Sequence, residues 1–262
     1  MANNFENILF SLKDGIAEIR LNRPDRLNAV TEGLYAELRQ LLQALENDDS
    51  ARMVVITGEG RAFCVGADMK AHGAATRTAY QRRQYLAGEQ NLCLTIQKMS
   101  KPVVAAVNGY ALGAGAEIAV ASDFILMKDS AQIGFPEIGI GTFLGGGVTH
   151  TLPRLVGLAK ARELVFFGEK IKGPEAVRIG MANRSFPDDE FDAGVKAFCQ
   201  QLADGAPTSM ALSKEQLNAS SDRDYESTLR FELEGMTFCT TTADWQEGVD
   251  SFKEKRKPNF RR

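Results

Sequence analysis

Histidine is nearly absent from this chain: only His72 and His150 occur in 262 residues. Four cysteines are present, Cys64, Cys93, Cys199 and Cys239, and no two stand as Cys-x-x-Cys. These scarcities argue against a zinc site, which needs several nitrogen or sulfur ligands at short spacing. No metal is expected, and the cysteines read as free thiols of a reducing compartment. A Ser–His–Asp set is missing as well. Neither histidine accompanies a Gly-x-Ser-x-Gly segment, and Cys64 has no histidine near it in sequence. No apolar run approaches the roughly 20 residues of a membrane span. Positive charge is not in excess, since the formal net charge is −3. That argues against nucleic acid as the main partner. Met1 to Phe10 has no basic segment followed by an apolar run, and it holds Glu6 but no arginine. Neither a signal peptide nor a transit peptide is expected, so the reading is cytoplasmic, with no membrane partner.

What is present is the composition of a folded globular protein, 44% hydrophobic and 25% charged, which predicts a sizeable core. Apolar Ile8–Leu12 and Ile16–Leu21 flank Asp14-Gly15, a hairpin signal. Leu34, Leu38, Leu41, Leu42 and Leu45 recur at helical spacing behind Thr31, a capping residue. Met53–Thr57 reads as a buried strand, Tyr80–Met99 as a helix, Pro102–Val107 as a strand and Gly113–Ala121 as a helix of small residues. Asp123–Met127 and Ala131–Ile133 read as strands. This alternation favours α/β with crossover helices. Leu155–Phe166, Pro174–Ile179 and Phe191–Ala203 read as single helices. After Ala206-Pro207 everything reads as helix: Ser209–Ala219, Asp224–Cys239 and Thr242–Lys255. Two regions are therefore expected, an α/β body over residues 1–206 and a helical piece over 207–262. The piece is too small to bury its own core and must pack on the body or on another subunit.

Three segments could carry chemistry. In Asn108–Glu117 a strand runs through a glycine-rich turn into a helix. The dinucleotide fingerprint lacks its third glycine and the Walker lysine is missing. Close helix–strand packing remains one reading. The other centres on Glu117, a carboxylate in an otherwise small and apolar helix, where lost solvation raises the pKa and suits acid–base work. Pro136-Glu137 places a second carboxylate before Gly145-Gly146-Gly147. It reads either as a solvated loop residue or as the partner of Glu117, the two dividing the roles of acid and base. Arg61–Asp68 follows the Met53–Thr57 strand with small residues. It reads either as a tight turn with Asp68 capping a helix, or as a loop whose N–H joins one from the Gly113 helix start in an oxyanion hole.

In order along the chain, Asn22–Ala29, Ala62–Asp68, Pro102–Glu117, Pro136-Glu137 and Glu247–Lys257 resemble the crotonase (enoyl-CoA hydratase/isomerase) superfamily over nearly the whole chain. The resemblance implies a crotonase-like spiral of ββα turns with a helical C-terminal trimerisation region, assembled as trimers or dimers of trimers. It implies an enoyl-CoA hydratase with the thioester oxygen held by the Val65 and Ala114 N–H groups. Glu117 would activate water for attack at C3, Glu137 would protonate C2, and the Gly145 N–H would help hold the water. CoA enters as part of the thioester substrate and no separate cofactor is implied. It would lie along Arg26, Leu27 and Ala29, with the adenine near Ala67, Asp68 and Met69. Phe252 and Lys255 match positions that reach CoA across a subunit boundary, giving a use to the basic run Lys253, Lys255, Arg256, Lys257, Arg261 and Arg262.

Two departures stand out. Val65 and Ala114 occupy positions where alanine and glycine are frequent, and Leu144, Val148, His150 and Thr151 alter the segment after Glu137. The first leaves the backbone donors intact, and the second bears on which acyl group is accepted. The alternative activity is an enoyl-CoA isomerase, which can shuttle a proton with one carboxylate. A member of the same fold that binds RNA would want a basic helix face. Arg82 and Arg83 are accompanied by Glu89 on the Tyr80–Met99 segment, so that reading is not favoured.

Overall fold

The computed structural model describes residues 5–69 and 77–260. His72, Arg261, Arg262 and the first four residues of the N-terminal reading lie outside the described residues. Strands β1 (Ile8–Lys13) and β2 (Ile16–Leu21) form the foreseen hairpin, paired antiparallel from Ile8↔Leu21 to Lys13↔Ile16. Asp14 and Gly15 both take positive φ, 53° and 79°, the conformation that favours Asp-Gly in a two-residue turn. Helix α1 (Glu32–Glu46) begins where Thr31 accepts the Leu34 N–H at 3.2 Å, and its leucine stripe is buried.

The body then repeats one unit. Strands β3 (Met53–Gly58) and β4 (Ala62–Cys64) precede helix α2 (Ala79–Lys98). Strands β5 (Val103–Val107) and β6 (Tyr110–Leu112) precede helix α3 (Ala114–Ala121). Strands β7 (Phe124–Lys128) and β8 (Gln132–Gly134) follow. The first strand of each pair joins one sheet, β1-β2-β3-β5-β7-β10, and the second joins another, β4-β6-β8-β9. Strands β9 (Lys170–Lys172) and β10 (Arg184–Phe186) complete them. From β2 to β10 the first sheet is parallel, and its central strands β3 and β5 are buried along their whole length. This is the expected ββα spiral. Reading single strands at Met53–Thr57 and Pro102–Val107 missed β4 and β6, which are three residues each and too short for a period to show.

Helix α4 (Val148–Val156) and helix α5 (Leu158–Phe167) correct the single helix read over Leu155–Phe166. Gly157, at φ 78° and ψ 154°, leaves the helical region and breaks the run. Helices α6 (Gly173–Arg178) and α7 (Phe191–Ala203) follow. The C-terminal part is helical: α8 (Pro207–Ala219), α9 (Tyr225–Cys239) and α10 (Ala243–Lys253). Lys214 ties α8 to the body. Its ammonium lies 2.7 Å from Asp123 Oδ2 and donates to the Ile96 carbonyl at 2.9 Å and the Lys101 carbonyl at 3.1 Å. Helix α9 buries no residue, and Leu229, Leu233, Met236 and Phe238 are exposed. Among the described residues no helix is long and apolar enough to cross a membrane, and no cluster of side chains could hold a metal ion.

Candidate active site

Helix α3 is buried at all eight of its residues, and Glu117 among them is only 2% exposed. Small side chains make this burial possible. A Cβ at Gly115 would fall 2.1 Å from the Cys64 carbonyl oxygen, so only glycine lets the helix approach β4 so closely. That approach also sets the loop after β4 against the start of α3. A Cβ built on Gly66 would sit 3.4 Å from the Ala114 nitrogen, and Gly66 itself takes φ 91°. Ala114 opens the helix, where the helical ladder offers its N–H no acceptor. The Val65 N–H, one residue before Gly66, donates to the Leu27 carbonyl at 3.3 Å. The loop that carries one backbone donor singled out in the sequence is therefore set against the start of the helix that carries the other, and one donor makes a long bond while the other opens a helix.

Glu117 accepts the Gly145 N–H at 2.8 Å. Gly145 and Gly146 lie directly on it: a Cβ at Gly146 would come 2.7 Å from the Glu117 Cβ. Glu137 opens the short 3₁₀ turn Glu137–Ile140 after β8 and is 7% exposed. Its Oε1 lies 3.0 Å from where a Cβ on Gly113 would be, which brings it to the N-terminus of the helix that carries Glu117. Glu137 Oε2 is buried and hydrogen-bonds to no described group. Burial raises the pKa of both carboxyls above the ordinary carboxylate range. For Glu117 the neighbouring Glu89 adds to the effect, and the charge of Glu137 contributes too. A buried acid with an open oxygen at the Gly113 turn and a second acid under the Gly145 loop, on the helix that this turn begins, make a candidate acid–base site.

Glu89 is the residue that sequence reading missed. It sits on α2, half-buried, with its carboxyl beside that of Glu117. A Cβ at Gly145 would fall 2.0 Å from Glu89 Oε1 and 3.1 Å from Glu117 Oε2. The Tyr35 hydroxyl on α1 donates to Glu89 Oε2 at 3.0 Å. Burial, followed by the charge of Glu89, raises the Tyr35 phenol, so it stays a donor. Cys64 and Cys93 flank the cluster as buried thiols. Burial pushes Cys64 up to about 12 and raises Cys93 too, so neither is a ready nucleophile.

The segments matched to CoA also meet. Val30 and Ala67 form a parallel bridge, the Val30 N–H donates to the Gly66 carbonyl at 2.8 Å, and the Asp68 N–H donates to the Val30 carbonyl at 3.0 Å. Arg23 clamps both strips, binding the Ala29 carbonyl and Asp68 Oδ2, the latter at 3.0 Å. Asn28, fully buried, accepts the Arg23 N–H and donates to the Glu59 and Ala62 carbonyls. Arg26, Ala67 and Met69 are exposed along this double strip, Leu27 is half-exposed, and Ala29 is buried beneath it. Phe252 is 85% exposed and shares a groove with Trp245 and Phe260 in the C-terminal part. Lys255 is exposed just beyond α10. In the basic run Arg256 is ion-paired with Glu247 and Glu254, so it serves the fold of the C-terminal part.

The paired sheets, the spiral of ββα turns and the carboxyls buried under a glycine loop define an α/β enzyme of the crotonase fold. A family model described as enoyl-CoA hydratase/isomerase matches residues 11–262. The chain is 34% identical over 257 residues to the crotonyl-CoA hydratase of Syntrophomonas wolfei, with 98% of each chain covered. It is 36% identical to the mitochondrial enoyl-CoA hydratase of Pongo abelii, over 98% of this chain and 89% of that one. Among solved structures, an enoyl-CoA hydratase from Bacillus anthracis superposes with a TM-score of 0.93 at 30% identity, covering 98% of this chain and 99% of that one. The chain belongs to the enoyl-CoA hydratase/isomerase family.

Proposed function

We propose that this protein is an enoyl-CoA hydratase that adds water across the 2,3 double bond of an enoyl-CoA thioester. The observation that carries the reading is the pair of buried carboxyls, Glu117 and Glu137, on two sides of the Gly113 turn, with the Gly145 N–H on one of them. An isomerase can work with one carboxylate, whereas hydration employs two.

In the forward step an O–H bond of water breaks. The hydroxyl oxygen bonds to C3 and the proton passes to Glu117. The electron pair of the double bond moves toward the thioester carbonyl, leaving an enolate oxyanion. The Ala114 and Val65 N–H groups hold that oxygen, Val65 sharing the donor it now offers to Leu27. Preorganised donors of this kind are worth roughly 3–4 kcal/mol each. The enolate then takes the proton of Glu137 at C2, and the thioester has gained one water. A proton passed back from Glu117 to Glu137 through solvent resets the site. No separate cofactor takes part, since CoA arrives with the substrate.

CoA is assigned to the double strip of Arg26, Leu27, Ala29, Ala67, Asp68 and Met69. Phe252 and Lys255 reach it from a neighbouring subunit. The exposed apolar side chains of α9 support a trimer, or a dimer of trimers, formed through residues 207–262. The setting is cytoplasmic, consistent with four free cysteines. The test is a panel of enoyl-CoA thioesters followed by loss of the conjugated-enone absorbance. At least one should be hydrated, and hydration should be lost in Glu117→Gln and Glu137→Gln. Isomerisation retained with hydration lost would favour the isomerase instead.

A further inference from the structure

A third carboxyl, that of Glu89, joins Glu117 at the glycine loop. Glu89 Oε1 and Glu117 Oε2 crowd the same face of Gly145, 2.0 and 3.1 Å from the one point where a Cβ would stand. Two ionised carboxylates have only acceptors, so a bond between such neighbours requires a proton on one of them. The remaining oxygens each have their own donor. The Gly145 N–H reaches Glu117 Oε1 at 2.8 Å, and the Tyr35 hydroxyl reaches Glu89 Oε2 at 3.0 Å. The pair is thus held from both ends by groups that favour negative charge. Two like charges at such a distance do not both ionise readily.

We propose that Glu89 is a positioning residue of this site: it shares a single proton with Glu117, so that the pair carries one negative charge, and it sets the pH at which Glu117 becomes a base. This rests on the hydratase reading for its catalytic meaning, though the shared proton itself does not. With the proton on Glu89, Glu117 is the anion that takes a proton from water. After the step both members of the pair are neutral, and one proton leaves through solvent as Glu137 is recharged. Tyr35, buried and held as a phenol, keeps the Glu89 carboxyl turned toward Glu117.

The test is Glu89→Gln in the full-length protein. The amide keeps a donor to Glu117 and the volume of the side chain, but it abolishes the shared proton and the neighbouring charge. Glu117 then ionises more easily, so the acid limb of the kcat/KM profile should move down by about one pH unit or more. A side chain that merely packs would leave that limb where it is. An independent readout needs no substrate. Infrared difference spectra at neutral pH should show, beside the stretch of protonated Glu137, a second protonated-carboxyl stretch in the wild type that is lost in Glu89→Gln. Glu117→Gln tests the pair from the other side and should lose the same band, which decides the matter if Glu89→Gln does not fold. That second band lost with no enoyl-CoA turned over would uphold the shared proton and sink the hydratase reading. The second band retained in the folded variants, or an acid limb unmoved in an active Glu89→Gln enzyme, overturns the proposal.

Discussion

Exchanging Glu117 for glutamine should abolish most hydration and, at the same time, make the fold less sensitive to alkali. Glutamine has the volume of glutamate, and its amide oxygen can still accept the Gly145 N–H now bound at 2.8 Å. Its amide hydrogens can still meet Glu89. The fold should therefore persist, and the loss is chemical: at least about 100-fold in kcat, the low end for general acid–base catalysis. The stability effect follows from proton linkage. Burial, then the neighbouring Glu89, raise the folded pKa of Glu117 above its ordinary 4.5. Between those two values the folded state binds more protons than the unfolded state. Stability is then fully present below the unfolded pKa and lost as pH rises toward the folded one. Each unit of that gap costs about 1.4 kcal/mol once the window is crossed. A glutamine side chain does not titrate and has no such window. Thermal melts of both proteins from about pH 5 to pH 9 should show the variant gaining on the wild type as pH rises. Full hydration of every accepted substrate by the variant would refute the two-carboxylate mechanism. A melting difference that stayed flat with pH would refute the account of a Glu117 pKa raised by its surroundings.

Lys214→Ala leaves Asp123 buried without its cation and should cost about 3–5 kcal/mol in denaturant unfolding, whereas Lys214→Met combined with Asp123→Asn should cost less. Equal losses in the two would deny the pair its anchoring role. Ala114→Pro removes a backbone donor at the first helical position, where proline is tolerated, so kcat should fall roughly 100- to 1,000-fold with circular dichroism unchanged. Near-normal turnover in that folded variant would move the oxyanion site elsewhere. Lys255→Ala should weaken CoA thioester binding, and wild-type binding should weaken as salt rises, by calorimetry. A binding constant indifferent to both would remove Lys255 from the CoA site. Light scattering should show the full-length protein as a trimer or larger, and a monomer at working concentration would contradict the oligomerisation role given to residues 207–262.

Much of the fold was legible because its longer elements obey one period each. The five-leucine stripe of α1 and the Asp-Gly turn between β1 and β2 need no tertiary information, and both stand where the pattern placed them. The three-residue strands β4, β6, β9 and β10 had no period to read. They exist because the spiral brings their backbones together, with β4 beside β6 and β6 beside β8. The split at Gly157 was legible in principle. A glycine in an apolar helical run is tolerated as often as it is obeyed, and only its positive φ decides.

The site divides along the same line. Glu117 and Glu137 each lie among glycines and apolar residues, where a carboxylate is costly unless it has chemistry to perform, so they could be found one segment at a time. Glu89 could not. It lies in a helix with Gln81, Arg82, Arg83, Gln84 and Gln90, where one more charge reads as part of a solvated face, and those residues are indeed exposed. What distinguishes Glu89 is absent from its own sequence neighbourhood: Tyr35 stands 54 positions earlier, and Glu117 and Gly145 lie farther along the chain. A glycine at 145 was visible as a loop signal, but its purpose is spatial, since any Cβ there would run into Glu89 Oε1 at 2.0 Å. The same missing side chain admits Glu89 to the Glu117 carboxyl and frees the Gly145 N–H to face it. One backbone position thus fixes both the donor and the neighbour that together govern when Glu117 is charged.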